Sequence, residues 1–220
     1  MDWKVYCRKP FAWPTSTLFL LALLGVLLNT WLANEILLDR QVFHRLLDEQ
    51  IEAYRIDELL IVMRRLTVWN YVLAPLLLAL RLLLSALFLQ MPLVFRLLEV
   101  PFARLFHIVT VAFFALLLLM FVKTLWLASL PNSAIDESTL SLVPMSLAAL
   151  VNRYRYSPQA LGFLGNFNLS ELAWCLIVTA GLRVESRLTW LDCGLVVVIV
   201  WTAMLVMQFV FLLYFHEISG

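Results

Sequence analysis

Two cations stand where they are expensive to keep. Arg81 lies inside the apolar run 68–89 and Lys123 inside the run 107–130. A charge within a membrane segment is a functional hypothesis by default, because such groups line ion or substrate paths. Each also has a structural reading. Lys123 is about seven residues from the end of its run and Arg81 about eight, within reach of the headgroups for a snorkelling stem. No acidic residue lies well inside the runs to partner either one.

A second constellation is His44, Asp48 and Glu52, whose four-residue spacing puts three potential metal ligands on one helical face. Charged helices produce that spacing often, and Glu52 can pair with Arg55 or solvent, so no metal site is assigned and the three remain its candidates. The chain has no Gly-rich phosphate loop, no H-E-x-x-H and no G-x-S-x-G. The apolar runs contain no aspartate, which removes the paired acids that intramembrane proteolysis needs. The expectation is a protein that is not an enzyme and has no cofactor.

These residues sit in a chain that is 63% apolar and 14% charged, with mean hydropathy +0.91. That is the composition of an integral membrane protein. A hydrocarbon core needs about 20 apolar residues per helix, so 220 residues leave room for roughly five or six spans in one domain. The net charge of +1 excludes a nucleic-acid partner, which would need clustered cations. Cys7, Cys175 and Cys193 are odd in number, and the last two lie in or beside apolar runs, so they read as packing residues.

The expected fold is all-α, a polytopic transmembrane helical bundle of about five spans near 17–33, 68–89, 107–130, 172–186 and 194–215, with short interfacial helices. The first follows Lys4, Arg8 and Lys9 and is bracketed by Trp13 and Trp31, as a retained signal anchor would be. Residues 35–66 carry seven acids and five arginines, yet Phe43, Leu47, Ile51 and Tyr54 recur at helical spacing. They predict an amphipathic excursion that contacts a partner, the lipid surface or the bundle itself. Pro75 breaks the second span, and Gln90 to Phe106, punctuated by Arg96, Glu99, Arg104 and two prolines, lies in the interface. The fourth run is near the length of a buried or re-entrant helix. Lysines and arginines number seven on each side of the membrane; the acids offsetting the first loop's arginines and the cation-free tail tilt the N-terminus inside.

The loop from Pro131 to Leu169 holds a polar interruption. Pro144 opens a short helix over Leu142 to Val151, followed by a basic-aromatic run, Arg153 to Tyr156. Ser157 and Pro158 are an N-cap and first helical position, and Gly162 or Gly165 ends that helix. Asn168 with Glu171 three residues on is a variant capping box that starts the fourth span, with Trp174 at the interface. Asn29, Asn70, Thr202 and Gln208 are placed to join helices by hydrogen bonds. The sequon at Asn168 abuts the membrane too closely for a glycan.

The run Ser141-Leu-Val-Pro-Met-Ser-Leu147, then Gly162-Phe-Leu-Gly-Asn-Phe-Asn-Leu-Ser-Glu-Leu-Ala-Trp174 and Ala180-Gly-Leu-Arg183, resembles the bacterial branch of the Ypt-interacting-protein (YIP) family. Val100 to Val109 and Phe121 to Trp126 look like the lead-in and third span of such proteins. The resemblance covers about Glu99 to Phe215; the charged excursion 35–66 falls outside it. It implies a five-helix membrane bundle with a cytoplasmic N-terminus and a non-enzymatic scaffold or accessory role, and supplies no catalytic residues. The leading expectation is therefore a scaffold or accessory subunit, in a bacterial cytoplasmic (inner) membrane, that binds a membrane-protein partner, its own copy or the lipid bilayer. The alternatives are a transport component with Arg81 and Lys123 near a path, and a subunit of a larger secretion or motility complex.

Overall fold

A computed structural model describes residues 13–37, 39, 42–43, 53–96, 99–131, 135, 139–140, 142–151, 156, 158–186 and 188–219. The helices are α1 (Thr15–Leu37), α2 (Ala53–Phe95), α3 (Phe102–Ser129), α4 (Leu147–Leu150), α5 (Pro158–Gly165), α6 (Leu169–Glu185) and α7 (Trp190–Ser219). There is no strand among the described residues beyond one isolated bridge, Ser146 with Asn168. The all-α bundle is thus present, and the chain is an integral membrane protein: four of these helices, α1, α2, α3 and α7, are long and apolar enough to cross a bilayer. The fifth expected span is α6, which at 17 residues is shorter than those four.

Helix α3 is the centre. It packs on α1, α2 and α6, and α7 closes the bundle against α6 and α2. Its inward face carries Leu105, Ile108, Val109, Ala112 and Phe113, all buried. Small residues set the α1–α3 contact: a Cβ on Gly25 would stand 2.5 Å from Leu117 Cδ2, so glycine lets the helices approach. In lipid, where apolar burial no longer drives helices together, polar groups add specificity. Thr124 Oγ1 donates to Asn29 Oδ1 at 2.9 Å, as expected of Asn29, and Thr15 Oγ1 meets His107 Nδ1 at 2.8 Å. These contacts put the start of α1 beside the start of α3. Arg96–Asp192 (3.0 Å) and Arg104–Glu185 (3.5 Å) tie the α2–α3 and α6–α7 turns together at that same end.

Three expectations are corrected. Pro75 does not break the second span: α2 runs 43 residues with Pro75 and Pro92 both inside it. A membrane helix tolerates proline where neighbours and local adjustment satisfy the freed carbonyls. The stretch from Gln90 to Phe106 is not an interfacial segment either. Helix α2 continues through Phe95, and Pro101 stands at the N-cap position of α3, where a missing N–H costs no hydrogen bond. The second half of the charged excursion is not a separate element, since Ala53 to Leu66 belongs to α2 without a break. Its first half, with His44, Asp48 and Glu52, lies outside the described residues apart from short pieces such as Val42 and Phe43.

Candidate intramembrane binding cleft

The polar interruption builds the site. Helix α4 is one turn, shorter than the helix expected over Leu142 to Val151, and follows a turn at Pro144 and Met145. Met145 takes φ 57°, a left-handed conformation that costs a side-chain-bearing residue energy. Met145→Gly is therefore expected to raise the unfolding free energy by up to about 1 kcal/mol, read by thermal melting in detergent. Helix α5 spans Pro158 to Gly165 as the punctuation anticipates, while its expected cap, Ser157, is outside the described residues.

The chain then passes through Asn168, whose side chain serves both sides of the junction. Its Oδ1 accepts from Glu171 N at 2.9 Å and its Nδ2 donates to Gly165 O at 3.0 Å. The backbone bridges back to the Pro144 turn through Leu147 N to Phe167 O (3.0 Å) and Leu169 N to Met145 O (3.2 Å). These bonds have a membrane reason. Helix α6 rises roughly 25 Å from the Arg104–Glu185 end and α3 roughly 42 Å, at about 1.5 Å per residue. The start of α6 therefore lies below the far end of α3, at a depth where unpaired backbone is costly and must be satisfied by protein. Asn168→Ala removes both side-chain bonds and is expected to cost about 1–2 kcal/mol, with faster proteolysis of the 142–168 loop as the check.

The capping box is half made. Asn168 caps the helix, but Glu171 does not reach back to it; its Oε2 accepts from Trp201 Nε1 on α7 at 3.3 Å. Trp174, expected at the interface, is buried at 4% exposure in the core. One helical turn separates the two, and α6 faces inward along that stripe. Phe167 meets Trp201 edge-on at 5.4 Å and Phe163 meets Phe209 at 5.8 Å, so the loop helices pack onto α7 rather than lying free on the surface.

Arg81 completes the arrangement. Counting from the shared end, it stands fourteen residues before Phe95, as Glu171 stands fourteen before Glu185, so the two are about 21 Å up their helices. They line one cleft of about 400 Å³ among α2, α3, α6 and α7, with Phe113, Trp174, Trp201 and Gln208. The guanidinium lies 5.5 Å from the centre of the Phe113 ring, in the same cleft as the Glu171 carboxylate. No acid lies well inside the apolar runs, as expected, but Glu171 at the edge of the fourth run lines the same cleft as Arg81. Glu171 was hidden from sequence reasoning because it reads as a capping residue at the edge of a span; only the short α6 brings it to Arg81's depth.

Arg81 stands fourteen residues before the end of α2 at Phe95, farther from that helix end than the eight residues expected from an end at Leu89. Lys123 is different. It does not line the cleft, and its Nζ donates to Leu140 O at 2.7 Å, tying α3 to the loop that follows. The two cations therefore do not share a path through this cleft. Gln208 lines it, while Asn70 and Thr202 are exposed. Cys175 and Cys193 are free thiols, and no group of three metal-ligating side chains occurs among the described residues. No family model, no curated protein and no solved structure matches the chain.

Proposed function

We propose that this chain is a non-enzymatic, multi-pass component of a bacterial inner membrane that works by binding a ligand in the Arg81–Glu171 cleft, as a transport component or as an accessory subunit. One observation carries the reading: opposite charges from two helices face one cleft at the same depth, surrounded by aromatic rings. A protein that only spans the membrane gains nothing from this, since charges held in an apolar layer cost stability that apolar side chains would return. Such groups in a membrane interior are retained for what they bind.

The test is native mass spectrometry of the protein released from its membrane in mild detergent. Non-covalent adducts are expected on the wild type and not on Leu84→Trp, which fills the cleft from an exposed position on its wall. Equal adducts on both proteins, or none on either, would sink the reading.

A second reading rests on the start of α2. Ile61, Val62 and Met63 are exposed on a helix that carries directly into the membrane, a rigid apolar handle for a membrane-protein partner or a second copy. This is the scaffold role that the YIP resemblance implies, and the cytoplasmic N-terminus comes with it. Affinity purification should recover a stoichiometric partner from the wild type and lose it when all three residues become serine; the protein alone from both would end this reading.

A further inference from the structure

The ligand class follows from how the two charges are left. Arg81 is exposed at the cleft, and its guanidinium makes no hydrogen bond to a described residue; it lies 5.5 Å from the centre of the Phe113 ring. Glu171 has one oxygen on the Trp201 indole N–H and forms no ion-pair contact with Arg81 among the described residues. Cation and anion therefore line one cleft without closing on each other.

Four kinds of occupant can be weighed. An anion would satisfy Arg81 and be opposed by Glu171. A cation would do the reverse. An uncharged apolar molecule would leave both groups unpaired, at the cost that makes buried lone charges rare. A molecule with both signs a few bonds apart satisfies both: a phosphate takes the planar donor fork of the arginine, and an ammonium takes the carboxylate and the faces of the neighbouring rings. We infer that the cleft is a binding site for a zwitterionic phosphate–ammonium group, the phosphate on Arg81 and the ammonium at Glu171 beside Trp174 and Trp201.

The cleft's shape favours a lipid as the bearer. At about 400 Å³ it has room for a headgroup and its glycerol, not for acyl chains. Leu77, Leu80 and Leu84 of its wall are exposed apolar side chains on α2, against which acyl chains can lie while the headgroup enters. The same chemistry is offered by a soluble headgroup, and the two sources are separable. The inference rests on the reading of this cleft as a binding site and adds the class of ligand.

The experiment is native mass spectrometry of the delipidated, full-length protein titrated with dioleoyl phosphatidylethanolamine, dioleoyl phosphatidylglycerol and water-soluble glycerophosphoethanolamine. The wild type is expected to hold the ethanolamine lipid severalfold more tightly than the glycerol lipid. Glu171→Gln should erase that preference, and Glu171→Asp should restore part of it. Arg81→Gln should weaken both lipids by roughly tenfold, with Arg81→Lys intermediate, while Lys123→Gln, outside the cleft, should bind as the wild type does. Circular dichroism melting of each variant shows which remain folded, and the aspartate and lysine variants carry the test if a glutamine variant does not.

A glycerol-lipid preference in the wild type, or an ethanolamine preference that survives Glu171→Gln, overturns the zwitterion assignment and leaves the cleft a binding site. Binding of the soluble headgroup as tightly as the lipid keeps the chemistry and overturns the lipid as its source. No adduct of any compound with the wild type overturns both the assignment and the reading of the cleft beneath it.

Discussion

Arg81→Glu lowers the unfolding free energy of the bundle in detergent by roughly 1–3 kcal/mol, the upper part of the ordinary range for a single substitution, because the new carboxylate shares an open cleft with Glu171. The reversal removes the guanidinium from the Phe113 ring and places a second carboxylate in the cleft that already holds Glu171. The double reversal, Arg81→Glu with Glu171→Arg, is expected to recover most of the loss, because opposite charges again share the site. Removing both charges, as Arg81→Leu with Glu171→Leu, should match or exceed wild-type stability while abolishing retained ligand. Circular dichroism melting of the four proteins is the check. A single reversal that melts with the wild type would mean the two groups do not act on each other, and an unimproved swap would assign the loss to local packing.

Phe113→Ala is expected to cost about 3–5 kcal/mol, the range for emptying a large, well-packed site. Phe113 is 3% exposed and packs in the central core while its ring supports Arg81, so one residue joins fold to site. Phe113→Leu separates the two contributions. It keeps most of the apolar volume and should lose less than half as much stability, yet it removes the ring face, worth about 0.5–2 kcal/mol to a cation. Ligand retention by the leucine variant should then fall more than its melting temperature does. Equal stability of the alanine variant and the wild type would show that the neighbouring helices collapse to fill the gap.

Much of the bundle was legible because membrane helices announce themselves by composition. The runs at 17–33, 107–130 and 194–215 became α1, α3 and α7 with modest extension, since a hydrocarbon layer demands a continuous apolar stretch with its backbone bonds internal. Asn168 was readable as a cap and Pro158 as a first helical residue for the same local reason, unsatisfied or missing N–H groups at helix starts. The continuity of α2 through Pro75 and Pro92 was not readable, because proline breaks an isolated helix and is tolerated only when neighbours compensate.

What the amino-acid order by itself determined, then, was the class of the protein, the identity of its apolar helices and the presence of Arg81 and Lys123 within them. What the tertiary structure decided was which of these charges matters together with which partner. Lys123 was drawn to the Leu140 carbonyl, whereas Arg81 came to share a cleft with Glu171, ninety positions away in the sequence. Periodicity reports the environment along one helix, but depth in the membrane depends on where each helix begins. The start of α6 is set by the Asn168 junction, whose bonds to the Pro144 turn and to Gly165 exist only once the loop has folded back onto α7.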